Sequence, residues 1–296
     1  MSLGELVHGV TTPAPTDSLV KAVIIQYSEW RGFPPGGIIV NIRQLLGLPD
    51  LLNIQTILCV QPHPDDNEVG AGGTLMELAN RGARLVYVTV TDGRAGSFGL
   101  NTDPNEIVRV RREEEKQAGH LVGVAEHINL DYPDGGDYSE ESVAVKLVDV
   151  FRRVRPDVVL TVDPWMPYEA HPDHIKTGRA VVKALLFSNN LILYPAATRA
   201  GADPFEVPQV AFYATSYPNT FVDVTRHWEK KLQAILAHKS QFDNAEWVFL
   251  SAFFEHTARE TYQAWKRADD QVTGLAEAFK VLSPRQLHFV PSTIYN

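Results

Sequence analysis

The stretch TILCVQPHPDDNEVGAGGTL, residues 56–75, sets the reading of the whole chain. Its first part is a short, nearly continuous apolar run, which is how a strand buried on both faces looks. Its last part carries glycines and apolar residues over a helical length. Between them stand His63, Asp65 and Asp66, side chains that a plain strand-to-helix turn does not require.

Outward from this stretch the pattern repeats. RLVYVTVT (84–91), HINL (127–130) and DVVLTVD (157–163) are further strand-like runs, and amphipathic segments near 68–81, 105–122 and 139–154 lie between them. Strands alternating with helices at this spacing predict parallel βαβ units with right-handed crossovers. The expected fold is therefore α/β, a Rossmann-like three-layer sandwich with a mostly parallel central sheet. Such sheets bind ligands beyond the carboxyl ends of their strands. The segments that fall there are HPDD, TDGRAG, DYPDGG and PWMPYEAHPDH, all richer in polar and turn residues than simple connectors need.

Residues 1–50 read as a helical lead-in, with a helix from Leu19 to Trp30, a break at FPPGG and a short helix from Asn41 to Leu46. Residues 51–296 read as a single domain with an irregular C-terminal third. In that third, QVAFYAT (209–215) and TFVDV (220–224) are expected strands, a helix is expected from Thr225, and LHFV (287–290) is a final strand-like run.

Composition narrows the function. With 296 residues, 44% of them hydrophobic, the chain can bury a substantial core. A net charge of −9 offers no electrostatic footprint for nucleic acid, whose binding rests on clustered Lys and Arg. The single cysteine, Cys59, cannot form an internal disulfide and reads as a small buried hydrophobe. No basic leader with an apolar core opens the sequence, and no run reaches the length of a membrane span. The expectation is a soluble, cytoplasmic protein with no nucleic-acid or membrane partner.

His63 and Asp66 are spaced i, i+3, as are His171 and His174, so a tight turn or first helical turn can bring each pair to one side. Two histidines and a carboxylate suffice for a zinc site with an open position. Asp65 beside a metal-bound water would supply a general base. An aspartate at a helix start is also a common cap, and Asp173 is assigned to that role for the helix after it. The recurrence of a histidine-carboxylate motif after two different strands favours a metal. The rival reading is a dinucleotide turn formed by VGAGGT with Asp92 at the end of the next strand. Its glycine spacing is wrong, and an imidazole with two carboxylates would repel a pyrophosphate. Gly70, Gly72 and Gly73 are read instead as allowing close packing of the helix.

At these residues the chain resembles the LmbE-like, or PIG-L, family of zinc-dependent N-acetylglucosaminyl deacetylases, from about Ile57 through Val181. The carriers are QPHPDD, the GGT segment, VTVTDGR, the RREEE helix, LDYPDG and LTVDPWMPYEAHPDH. Within the family the likeness is strongest to the diacetylchitobiose deacetylase branch. The resemblance implies an amide hydrolase that removes acetate from an N-acetylglucosamine unit, as in chitin degradation. It implies His63, Asp66 and His174 as Zn2+ ligands, Asp65 as general base, and His171 as the group that stabilises the oxyanion and assists the leaving amine. Arg111 and Asp134 are implied near the sugar or behind the metal. A small amino-sugar substrate and a homo-oligomer, with a hexamer as the suggested form, follow from the same resemblance. Asn67 and Glu68 follow the paired aspartates where many members have Glu directly, which leaves the role of Glu68 open.

Other residues keep two readings. Arg94 could reach substrate or stay solvated, and Trp165 and Tyr168 could stack on a sugar ring or anchor their loop. His288 could serve a neighbouring subunit's pocket or be structural. Competing functions are a deacylase of a thiol-sugar or antibiotic glycoside, a non-catalytic glycan-binding module and a dinucleotide-dependent oxidoreductase.

Overall fold

Strand β1 (Thr56–Gln61) lies in the interior of the sheet, where its residues on both sides are buried. Ile57 and Cys59 enter one buried cluster, while Leu58 and Val60 enter the other. In this computed structural model the described residues are 46, 48–96, 103–195, 203–266 and 273–288. The expected lead-in over 1–50 lies outside them except for residues 46 and 48–50.

The chain then runs through helix α1 (Asp66–Asn80), β2 (Arg84–Thr91), α2 (Pro104–Val122), β3 (Val124–Tyr132), α3 (Glu140–Val154), β4 (Val158–Val162) and α4 (Pro172–Phe187). After β5 (Gln209–Tyr213) and β6 (Thr220–Asp223) come α5 (Trp228–Leu236), α6 (Lys239–Phe242), α7 (Trp247–Lys266), β7 (Ala276–Leu282) and α8 (Pro284–His288). The strand order is β3-β2-β1-β4-β5-β7-β6. Strands β1 to β5 pair in parallel, and β7 runs antiparallel to both β5 and β6. The sheet is thus mostly parallel, as expected.

Residues of α3 and α4, including Leu147, Phe151, Val181 and Ala184, pack on one face of the sheet. Residues of α1 and α5, among them Leu75, Leu78, Trp228 and Ala234, pack on the other. Cys59 is buried, in keeping with its reading as a small hydrophobe. The order turns back at β1 and β4, and α1 and α4 leave those two strands on opposite faces. That switch point is where open α/β sheets hold ligands.

Three elements differ from expectation. Strand β3 is longer than HINL because it is an edge strand with exposed and charged positions that break its apolar pattern. Strand β7 was not expected, since Glu277 and Lys280 interrupt its run; Glu277 is buried and paired with Lys231 at 2.6 Å. LHFV is not a strand at His288, which ends the short helix α8.

The glycines of α1 do serve close packing. A β-carbon at Gly70 would lie 2.4 Å from the Tyr213 ring, and one at Gly73 would lie 2.6 Å from Val224. Alanine in a helix interior gains about 1 kcal/mol over glycine, whereas forcing a methyl into a packed site costs about 1–3 kcal/mol. The clash wins, because Tyr213 is itself buried at the end of β5. Urea denaturation of Gly70→Ala is expected to show a net loss of up to about 2 kcal/mol by this difference. Unchanged or raised stability would contradict the packing.

Candidate metal centre

The turn after β1 aims its carboxylates away from helix capping. Asp65 occupies the N-cap position of α1, yet its side chain makes no capping bond. Its carboxylate instead accepts from Arg111 Nη2 at 3.0 Å. Asp66 Oδ2 accepts from the His63 backbone N–H at 2.8 Å and lies 3.3 Å from His63 Nδ1. Asp65 has φ 147°, a region that a β-carbon disfavours and that costs about 1–3 kcal/mol when imposed. The surrounding contacts of Arg111 and of the α1 start hold it there.

The second motif arrives from β4. His174 Nε2 lies 3.5 Å from Asp66 Oδ1, so the two motifs meet across the switch point. One nitrogen or oxygen from each of His63, Asp66 and His174 falls within 4.8 Å of the others. A second grouping within the same limit joins His63, Asp134, His171 and Asp173. His63 belongs to both: Nδ1 faces Asp66, while Nε2 faces Asp134 Oδ1 at 3.2 Å and Asp173 Oδ2 at 3.4 Å.

The two groupings differ in how far their oxygens are already engaged. Asp173 is fully buried and accepts from Gly135 N–H at 2.8 Å and Tyr138 O–H at 2.8 Å besides facing His63. Asp173 is therefore not the helix cap expected from sequence. His171 caps α4, its Nδ1 accepting from the Asp173 N–H at 3.3 Å. Asp173 holds the loop of Asp134 against α4 and orients the His63 ring, as carboxylates behind a metal-binding histidine do.

The donor chemistry fits a divalent cation. Burial alone would lower the His63 pKa, but hydrogen bonds with Asp134, Asp173 and Asp66 push it up to about 12. Burial raises Asp66, yet the hydrogen bond and charge of His63 and the charge of His174 bring it to about 2. The carboxylate oxygens crowded around His63 make a site that favours positive charge, which a bound cation supplies as a proton on the ring otherwise does. Burial of Asp65, opposed by Arg111 and reinforced by Asp66, places its carboxyl at about 6. A carboxyl so raised can take up a proton close to neutral pH. His171 is lowered, by burial first and then by the charges of His63 and His174.

Arg111 is buried rather than part of a solvated helical face. It donates to Gly93 O at 3.1 Å, Pro64 O at 3.0 Å and Asp65, and reaches to 4.0 Å from Asp134 Oδ2. Its neighbours divide: Arg112 pairs with Asp131 at the surface, while Glu114 turns in to Ser240 and Glu115 to Gln61. Arg94 pairs with Asp92, whose Oδ1 accepts from the Asp134 N–H at 3.3 Å. Trp165 remains 54% exposed with its ring edge on Phe212 at 5.8 Å, and Tyr168 is fully exposed. Each of the residues from four strand ends thus lies at the expected end of the sheet.

Sequence reasoning missed several participants. Glu169 touches both histidines of the second motif, and its position two residues before His171 was a signal that could have been read. Tyr138 lies in α3's approach with no motif to mark it. His238, between α5 and α6, sits 3.3 Å from Glu68 and supplies the buried partner of that open position. Nothing in the sequence joins those two.

The family model described as PIG-L, GlcNAc-PI de-N-acetylase, matches residues 58–185. The chain is 37% identical over 195 residues to diacetylchitobiose deacetylase of Thermococcus kodakarensis, covering 66% of this chain and 73% of that protein. It is 30% identical over 190 residues to a probable N-acetyl-alpha-D-glucosaminyl L-malate deacetylase 2 of Bacillus cereus, covering 62% of this chain and 83% of that one. Among solved structures, N,N'-diacetylchitobiose deacetylase from Pyrococcus horikoshii superposes with a TM-score of 0.78 at 32% identity. That match covers 85% of this chain and 93% of the other.

Proposed function

Because this chain belongs to the PIG-L family of de-N-acetylases, we propose that it is a zinc-dependent hydrolase removing acetate from N-acetylglucosamine units such as those of diacetylchitobiose. The observation that carries the reading is the convergence of His63, Asp66 and His174 beside an uncapped Asp65. His63, Asp66 and His174 would hold the ion. When bound, it supplies Lewis-acid polarisation of an amide carbonyl and a lowered pKa for water.

The rest falls to the chain's own side chains. Asp65, held by Arg111, takes a proton from the water that attacks the acetyl carbon. His171 accepts at Nδ1 from the Asp173 N–H, so its neutral ring carries the proton on Nε2. That N–H is a donor for the developing oxyanion. The C–N bond then breaks, the proton taken by Asp65 goes to the departing amine, and acetate and the free amino sugar leave. Arg94 and Asp134 are assigned polar contacts with the sugar, and the 54% exposed indole of Trp165 suits a pyranose face.

The test is acetate release from N-acetylglucosamine, diacetylchitobiose and longer chitooligosaccharides by the zinc-loaded chain. Release from one or more is expected. No release from any, with release from an acylated thiol-sugar or antibiotic glycoside, would replace the substrate class.

A further inference from the structure

We propose that Glu169 is a positioning residue that fixes the ring tautomer of His174 and, through it, the strength of metal binding. The inference rests on the metal reading above and adds a residue to it.

One carboxylate makes two bonds. Glu169 Oε1 accepts from the His171 backbone N–H at 2.8 Å, and Oε2 lies 3.0 Å from His174 Nδ1. An ionised carboxylate only accepts, so Nδ1 must carry the proton in the neutral ring and Nε2 must present its lone pair. Nε2 is the nitrogen that faces Asp66 Oδ1 at 3.5 Å. A histidine that ligates through one nitrogen commonly gives its other N–H to such a carboxylate, and loss of the partner weakens metal affinity about 10- to 100-fold.

The backbone is built to deliver this side chain. Tyr168 stands at φ 71°, in the left-handed region that favours glycine, directly before Glu169. The Glu169 N–H then closes a turn onto Met166 O at 3.1 Å. The strained residue is itself fully exposed, so its own side chain does not explain the strain. The turn sends Glu169 back over both histidines, where its side chain is only 17% exposed.

Glu169→Gln separates charge and tautomer from size. The His171 N–H requires the amide oxygen at the Oε1 position, which leaves the amide nitrogen facing Nδ1. That nitrogen donates, so the ring proton moves to Nε2 and opposes ligation there. The experiment measures zinc affinity by chelator competition for the wild-type chain and E169Q, with imidazole 15N shifts of His174 and thermal melting of both metal-free forms. Expected are a proton on Nδ1 in the wild type and on Nε2 in E169Q, about 10- to 100-fold weaker zinc binding in E169Q, and matching apo melting curves. Equal zinc affinity, or a wild-type His174 protonated on Nε2, overturns the role of Glu169 alone. A wild-type chain that takes up no zinc overturns the metal reading and this inference with it.

Discussion

Zinc-loaded Asp65→Asn is expected to keep its metal and lose roughly 10²- to 10⁴-fold in kcat, the worth of a positioned general base. The substitution is nearly isosteric and leaves Asp66, His63 and His174 untouched. It removes the ability to take a proton and, with it, the charge that pairs with Arg111. Asp65 makes no capping bond, so its loss should not fray α1. Metal content by elemental analysis and kcat by acetate release, measured on the same preparation, check the result. Near-normal turnover would contradict the assignment of the base, while loss of metal would show that Asp65 belongs to the ligand set.

The second large effect is expected at Arg111. Arg111→Met keeps the aliphatic stem but strands the buried Asp65 carboxylate and the carbonyls of Pro64 and Gly93. Breaking one side of a buried pair costs about 3–5 kcal/mol, and both partners here are well shielded from water. The effect should appear in denaturant unfolding. The pH profile carries a second sign. Burial raises the Asp65 pKa and Arg111 opposes that rise. Without Arg111 the pKa climbs further, so the acid limb of kcat/KM should move to higher pH. An unmoved limb together with unchanged stability would mean that Arg111 is not the partner of the base.

Much of this was legible in the sequence, for reasons that can be named. Strands buried on both faces read as near-continuous apolar runs, so β1 and β2 begin and end where the runs TILCVQ and RLVYVTVT do. The rule that ligands lie beyond the carboxyl ends of such strands then picked out HPDD and HPDH. It could not say which oxygens were already taken. Asp173 looked like a cap because it follows a helix start, and only the fold brings Gly135 and Tyr138 to its carboxylate. Edge strand β3 was obscured because it does not need two apolar faces, and the buried β7 because Glu277 and Lys280 break its apolar run. Glu68 and His238 meet from positions 170 residues apart, a pairing that no local pattern records. Within RREEE only the family resemblance singled out Arg111, and burial against the HPDD turn is what sets it apart from Arg112.

The proposed amide hydrolysis depends on a cation held by His63, Asp66 and His174. The most direct measurement is acetate release from diacetylchitobiose by the intact chain before chelation, after chelation and after return of one equivalent of zinc, with His63→Ala treated in parallel. Chelation is expected to abolish release, zinc to restore it to the wild-type chain, and His63→Ala neither to retain zinc nor to recover. Full activity in the thoroughly chelated protein, or recovery of His63→Ala with zinc, would contradict it.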